Sequence, residues 1–202
     1  ARERYKWDIR EAMAGHKEVT DIEFVDRHSA HNYERYVRNW ITYPIPVPPY
    51  PGELGVWGSQ IKCWEWVRDN EEPLIIFEDD AIVRPGFTQW YNSLTSGLEF
   101  EPDVLSLWVN PYQHNRWKPD YNVTNELSWA YQDEAAVAMQ IFPSGAAKML
   151  DTIESEGFNR PVDCWIFEKS WPGTDRLHVY APNPRTNTGI SVYLEAETQT
   201  RV

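Results

Sequence analysis

The spacing of apolar residues along the first fifty positions predicts a helix, a strand and a loop. Residues 3–14 carry apolar side chains at near-helical spacing, and Gly15 follows as a stop signal. Residues 18–26 alternate polar and apolar positions like a short strand, and Asp26 stands where a loop should begin. Residues 43–51 are rich in proline, which excludes a helix or a central strand and predicts an extended, ordered loop.

Helices and strands are predicted to follow one another in the rest of the chain. Apolar residues recur every three or four positions over 52–69 and over 146–155, which predicts two helices. Continuous apolar runs predict buried strands at 74–77, 104–109 and 135–142. This order is typical of an α/β fold, so we expect one domain over residues 1–202 with a mostly parallel central sheet flanked by helices.

Composition narrows the class of protein. Lys and Arg total 19 against 31 Asp and Glu, and the net charge of −12 disfavours general attraction to nucleic acid. The hydrophobic share of 42% argues against disorder. No apolar run reaches the roughly 18 residues that a membrane-spanning helix needs. Cys63 and Cys164 lie among apolar neighbours and are too few for a disulfide framework, so we expect buried free thiols. Together with the lack of an apolar signal segment, this predicts a cytoplasmic protein, the alternative being a chain already processed or trimmed.

Three consecutive acids, Glu78, Asp79 and Asp80, come directly after the apolar run at 74–77. Like charges at the end of a buried strand repel one another, so a compensating cation is expected. Carboxylate oxygens are preferred ligands of Mg²⁺ and Mn²⁺, and ligands of open α/β sheets bind at the carboxyl edge. The pattern therefore predicts a Mn²⁺ or Mg²⁺ site. The alternative is a strand end that turns into solvent, with Asp80 capping the next segment of the chain.

Motifs on both sides of the triplet occur in a recognisable order. They are GELGVWGSQ at 52–60, LIIFEDDA at 74–81, DVLSL at 103–107, QIFPSGAA at 140–147 and PVD at 161–163. With these motifs the chain resembles glycosyltransferase family 25, the lipopolysaccharide and procollagen galactosyltransferase-like group, from about residue 24 to 182. The resemblance implies a GT-A-like fold and metal-dependent transfer of a hexose or similar sugar from a nucleotide-sugar donor, most simply a UDP-sugar. Gln60 departs from the family, which commonly has His after this Ser.

The resemblance also implies roles for the acids. Asp80 is the first choice for the direct metal ligand, with Glu78 nearer the sugar or a metal-bound water. Families of this type usually invert the anomeric carbon, which needs a base to take the proton of the acceptor hydroxyl. Asp163 occupies the matching position and is the candidate base, with a metal-site or acceptor-orienting role kept open. The alternative is that Asp163 caps the apolar stretch at 164–167.

The residues implied to bind the nucleotide-sugar donor come from four segments. They are Arg2, Arg4, Asp26, Gly52, Glu53, Ser59, Glu78 and Asp79. An arginine near the start would help hold the diphosphate. The alternatives are a solvated helix face for the arginines and an ordinary helix start for Gly52 and Glu53.

An aromatic loop at 110–133, with its flanks, is the candidate acceptor platform, carried by Trp108, Trp117 and Trp129. The acceptor is predicted to be a glycan or lipid-linked saccharide, or a hydroxylated base in DNA, because aromatic platforms stack on both. Two other classes stay open. One is a metal-dependent phosphoesterase or nuclease, and the other is a catalytically inactive carbohydrate-binding protein. The oligomeric state is not predicted by any feature of the sequence.

Overall fold

The structure is a computed structural model, and the residues that it describes are 51–78, 81–96, 98–108, 122–130, 136–158, 160–170, 176–183 and 192–194. Of residues 51–54 and 192–194 only the backbone is described. The predicted helix at 3–14 and strand at 18–26 lie outside these ranges. The predicted proline-rich loop at 43–51 does too, except for Pro51, which begins a helix.

The described residues form helices and strands in a mixed α/β order. The helices are α1 (Pro51–Asn70), α2 (Phe87–Thr95), α3 (Pro143–Glu156) and α4 (Val162–Glu168). The strands are β1 (Leu74–Phe77), β2 (Ala81–Val83), β3 (Val104–Ser106), β4 (Leu127–Trp129), β5 (Ala138–Ile141), β6 (Val179–Pro182) and β7 (Val192–Leu194). The helices predicted at 52–69 and 146–155 and the strands predicted at 74–77, 104–109 and 135–142 are therefore confirmed, with shifted ends.

Helix α1 follows from its apolar spacing. Trp57, Ile61, Trp64 and Val67 recur every three or four positions and are all buried. The helix gives way to a turn at Glu71, whose φ of 56° is left-handed and reverses the chain toward β1.

The central sheet has five strands in the order β1-β5-β3-β6-β4. Strand β5 pairs antiparallel with both β1 and β3, and β4 pairs antiparallel with β6. Only β3 and β6 pair in parallel among the described strands. The expectation of a mostly parallel sheet is thus wrong for this part of the chain. An apolar run indicates that both faces of a strand are buried. It does not indicate whether the neighbouring strand runs parallel or antiparallel.

Alternate residues of each strand explain the apolar runs. One face of the sheet, with Leu74 and Ile76 of β1, packs against α1, α3 and α4. The other face, with Ile75 and Phe77, packs against α2 and β2. Strand β1 is nevertheless half-buried along its length, because it is the outermost strand of the described sheet.

One edge of the sheet is fixed to α3 through Asp103, which is 2% exposed. Its carboxylate accepts hydrogen bonds from Ser144 Oγ (2.8 Å), Lys148 Nζ (2.7 Å) and the His178 backbone N–H (2.8 Å). Burial raises the pKa of nearby Tyr180, and the Asp103 charge adds to that rise. The motifs at 103–107 and 140–147 therefore meet here, and the hydrogen bonds between them hold α3 to the sheet.

In the described part of the chain, no helix combines the length and the apolar character needed to cross a membrane.

Candidate active site

Five strand ends meet at the edge of the sheet opposite Asp103. Strands β1, β3 and β6 run one way and β5 and β4 the other, so three carboxyl ends and two amino ends share this edge. Backbone bonds join them: Glu78 N–H to Val137 O (2.9 Å), Leu107 N–H to Ala138 O (2.9 Å) and Asn183 N–H to Glu126 O (2.7 Å). We call this the site edge, because it holds three of the five carboxyl ends, and ligands of open α/β sheets bind outside the carboxyl ends of strands.

Glu78 carries the acidic triplet to the site edge. It follows β1 directly and is half-buried. Its carbonyl oxygen accepts the backbone N–H of Ala81 at 3.0 Å, so the chain returns into β2 within three residues. Strand β2 then pairs antiparallel with β7. Asp79 and Asp80, between these two described residues, lie outside the described part.

The described residues do not by themselves make a metal site. Among them, no group of three or more His, Cys, Asp or Glu side chains is placed to hold an ion. Of the predicted ligands only Glu78 is described, and its carboxylate has the oxygen chemistry that Mg²⁺ and Mn²⁺ prefer. The metal prediction therefore stays a prediction that depends on Asp80.

Asp163 lies in the first turn of α4 and is half-buried. Its Oδ1 accepts the backbone N–H of Cys164 at 2.7 Å, which satisfies one N–H of the first turn, although the N-cap residue of the helix is Pro161. The segment before α4 is fixed to α1, since Trp57 Nε1 donates to Arg160 O at 3.1 Å. Trp165 packs on Trp57 with ring centroids 5.5 Å apart. The structure therefore places Asp163 beside the first half of α1.

The start of α1 points toward the site edge. Only residues 71–73 separate α1 from β1, so the two elements run in opposite directions. From Trp57 to Asn70 the helix rises about 20 Å at 1.5 Å per residue. The four residues of β1 span only about 13 Å, so the first turns of α1 reach the level where β1 ends. From these lengths, and from the place of Asp163 beside α1, we infer that Glu78, Asp163 and the segment with Gly52 and Glu53 lie toward the same end of the molecule.

Ser59, predicted to contact the sugar donor, is half-buried within α1. Its hydroxyl donates to Gly55 O, one turn earlier, at 3.0 Å. This bond satisfies the hydroxyl within the helix and leaves donor binding an untested prediction. Arg2, Arg4 and Asp26 lie outside the described residues.

Of the predicted acceptor tryptophans the structure describes Trp108 and Trp129, which lie at opposite edges of the sheet. Trp108 is 4% exposed and packs in the core with α2, which favours a core role. Trp129 ends β4 near the Asp103 edge and contacts His178 and Tyr180, with ring centroids 5.6 and 4.8 Å away. Trp117 lies outside the described residues. Acceptor contact by any of the three stays a prediction.

Asn183 is a residue of the site edge that the sequence patterns did not reveal. It is 2% exposed, and its Nδ2 donates to Asn122 Oδ1 at 2.9 Å and to Asn125 O at 3.3 Å. These bonds fix the turn before β4 to the end of β6. An asparagine between two prolines after the apolar run at 179–181 was the available signal.

The structure is a mixed α/β domain with polar residues at the strand ends of its site edge. Comparison with known proteins identifies its class as the glycosyltransferases. The model of "Glycosyltransferase family 25 (LPS biosynthesis protein)" matches residues 24–163, more than half of the 202 residues. The chain belongs to glycosyltransferase family 25, which confirms the resemblance of its motifs.

A relative from Acanthamoeba polyphaga mimivirus, "Procollagen lysyl hydroxylase and glycosyltransferase", is 23% identical over 180 residues. The similarity covers 81% of this chain and 20% of the relative. The chain thus spans one fifth of that protein's length.

Proposed function

We propose that this chain transfers a hexose or similar sugar from a UDP-sugar to an acceptor hydroxyl, with inversion at the anomeric carbon. The observation that carries the proposal is the family match over residues 24–163, which includes the acidic triplet and Asp163. The common end of the molecule reached by Glu78, Asp163 and the start of α1 supports it, because a sugar donor and an acceptor must meet in one place.

Asp163 is proposed as the base that takes the proton of the acceptor hydroxyl as that oxygen attacks the anomeric carbon. The hydrogen bond from Cys164 N–H to Oδ1 supports this role, since it fixes the position of the carboxylate. A fixed base needs no reorganisation at the moment of attack.

Asp80 and Glu78 are proposed to hold Mn²⁺ or Mg²⁺. A bound divalent cation would offset the negative charge of the donor diphosphate and of the departing nucleotide. Arg2 or Arg4 is proposed to add a bidentate contact to the same diphosphate. Asp26, Gly52, Glu53, Ser59 and Asp79 complete the proposed donor set.

The test is transfer and binding by an Asp80→Ala variant. We expect transfer to be abolished and Mn²⁺-dependent binding of the nucleotide sugar to be lost in calorimetry, with the thermal unfolding midpoint unchanged. Glu72→Ala removes an exposed acid from the connection before β1 and is the matched control. Full transfer by Asp80→Ala in excess chelator would contradict the metal proposal, and hydrolysis without transfer would favour a phosphoesterase.

The acceptor is tested with a panel. A saccharide, DNA with a hydroxymethylated base and a hydroxylysine-containing collagen peptide are compared, the last because the relative's name joins lysyl hydroxylation to glycosyl transfer. We propose a glycan or lipid-linked saccharide first, since the net charge of −12 disfavours DNA. Acceptor binding that weakens steeply with salt would favour DNA instead.

A further inference from the structure

Helix α1 carries two buried polar atoms on its core-facing side, one turn apart. Gln60 is 7% exposed and Trp64 is fully buried. Within the described part of the chain, Gln60 Oε1 accepts no hydrogen bond and Trp64 Nε1 donates none. The acceptor and the donor therefore belong to neighbouring side chains, because residues four apart share one helix face.

The surroundings of these atoms are aromatic. The Trp64 ring meets Trp57 edge-on, with centroids 6.0 Å apart, and stacks on Trp165 at 6.3 Å. The indole N–H of Trp57 is already used, since it donates to Arg160 O. Leaving two polar atoms unpaired in such a place is costly, and nearly all buried polar groups in proteins have a partner.

We propose that Gln60 and Trp64 together bind one internal water molecule. The water accepts the Trp64 indole N–H and donates to Gln60 Oε1, so that one molecule satisfies both atoms. The Cβ atoms of such a pair lie about 5–6 Å apart, and the two polar atoms form no direct hydrogen bond with each other. A ligand that bridges them must both accept and donate, and water is the smallest molecule that does so.

The proposal gives Gln60 a role different from contact with the sugar donor. Its side chain faces the core beside Trp57 and Trp64, whereas the preceding Ser59 is half-buried. The water would bridge two side chains of α1 on the core face of that helix, so the role assigned to Gln60 is structural.

The test reads the indole N–H signals of the ¹⁵N-labelled chain for cross-relaxation with water. Trp64 is expected to show a water cross-peak. Trp57, whose indole is bonded to a carbonyl, is the internal control and is expected to show none. Gln60→Leu removes the acceptor and is expected to abolish the Trp64 cross-peak. Thr152→Val, which removes a hydroxyl bonded within α3 to Lys148 O, is expected to leave it.

Three results would overturn the proposal. The first is a Trp64 indole without a water cross-peak in the intact chain. The second is a direct bond from Trp64 Nε1–H to Gln60 Oε1, and the third is a cross-peak that persists in Gln60→Leu. If Gln60→Leu does not fold, Gln60→Met, which keeps the side-chain length, takes its place, and the measurement on the intact chain still decides.

Discussion

At the scale of single residues, Gly145 shows how closely α3 lies against the sheet. A Cβ atom at this position would overlap the backbone carbonyl oxygen of Asp103. That backbone is held in place, since Asp103 O accepts the N–H of Phe142 and the Asp103 carboxylate has three partners. The glycine of the QIFPSGAA motif is therefore required by packing.

Gly145→Ala is expected to destabilise the protein by about 3 kcal/mol, at the upper end of the usual cost of overpacking. For a chain of this size that is a fall of roughly 6–12 °C in the unfolding midpoint, measurable by calorimetry. Ser144→Ala is the matched control, because it removes one hydrogen bond to Asp103 without adding an atom and is expected to cost about 1 kcal/mol. An unchanged midpoint for Gly145→Ala would contradict the close approach.

Gln60 and Trp108 mark the limit of prediction from single residues. An aromatic ring suits both a core role and a functional role, so the sequence alone did not decide between them for Trp108. Burial decides between these roles for Trp108, and burial depends on which elements cover it. Gln60 stood out only as a departure from the family, and its position on the core face of α1 became visible once the helix was placed.

At the scale of elements, the sequence predicted the long helices and the apolar strands but not which strands pair or in which direction. Strand β5 illustrates the reason. Its apolar run predicted a buried strand, yet β5 lies between β1 and β3 and runs against both. Pairing direction is set by long-range topology, which local periodicity does not encode. The segments at 122–130 and 179–183 were missed for a related reason, since short strands become defined through their partners.

Asn183 holds two of these short strands together, and its loss is expected to loosen the site edge. Asn183→Ala removes the hydrogen bonds to Asn122 Oδ1 and Asn125 O and should destabilise the protein by about 1–3 kcal/mol in urea unfolding. Asn122→Ala is the matched control. Asn122 is exposed, and its replacement removes only one of the two acceptors of Asn183 Nδ2, so a smaller loss of stability is expected. Equal losses for the two variants would show that the bond to Asn125 O contributes nothing.

At the scale of the whole molecule, the family match and the sheet have different bounds. The match ends at residue 163, in the first turn of α4, whereas β6 completes the sheet at 179–182 and supplies the parallel partner of β3. The site edge therefore draws residues from both sides of that bound. Asp163, at the bound itself, carries two interpretations, a base and a residue of the first turn of α4.

Asp163→Asn separates these interpretations, because the amide oxygen can still accept the Cys164 N–H while the group is no longer basic. If Asp163 is the base, kcat should fall by about 10²- to 10⁴-fold, with the KM for the sugar donor and the unfolding midpoint nearly unchanged. Asp151→Asn, at an exposed acid of α3, is the matched control and should keep full activity. Retained kcat in Asp163→Asn, with a lower midpoint in Asp163→Ala, would leave this residue only its structural role at the start of α4 and would move the search for the base to the acids around Glu78.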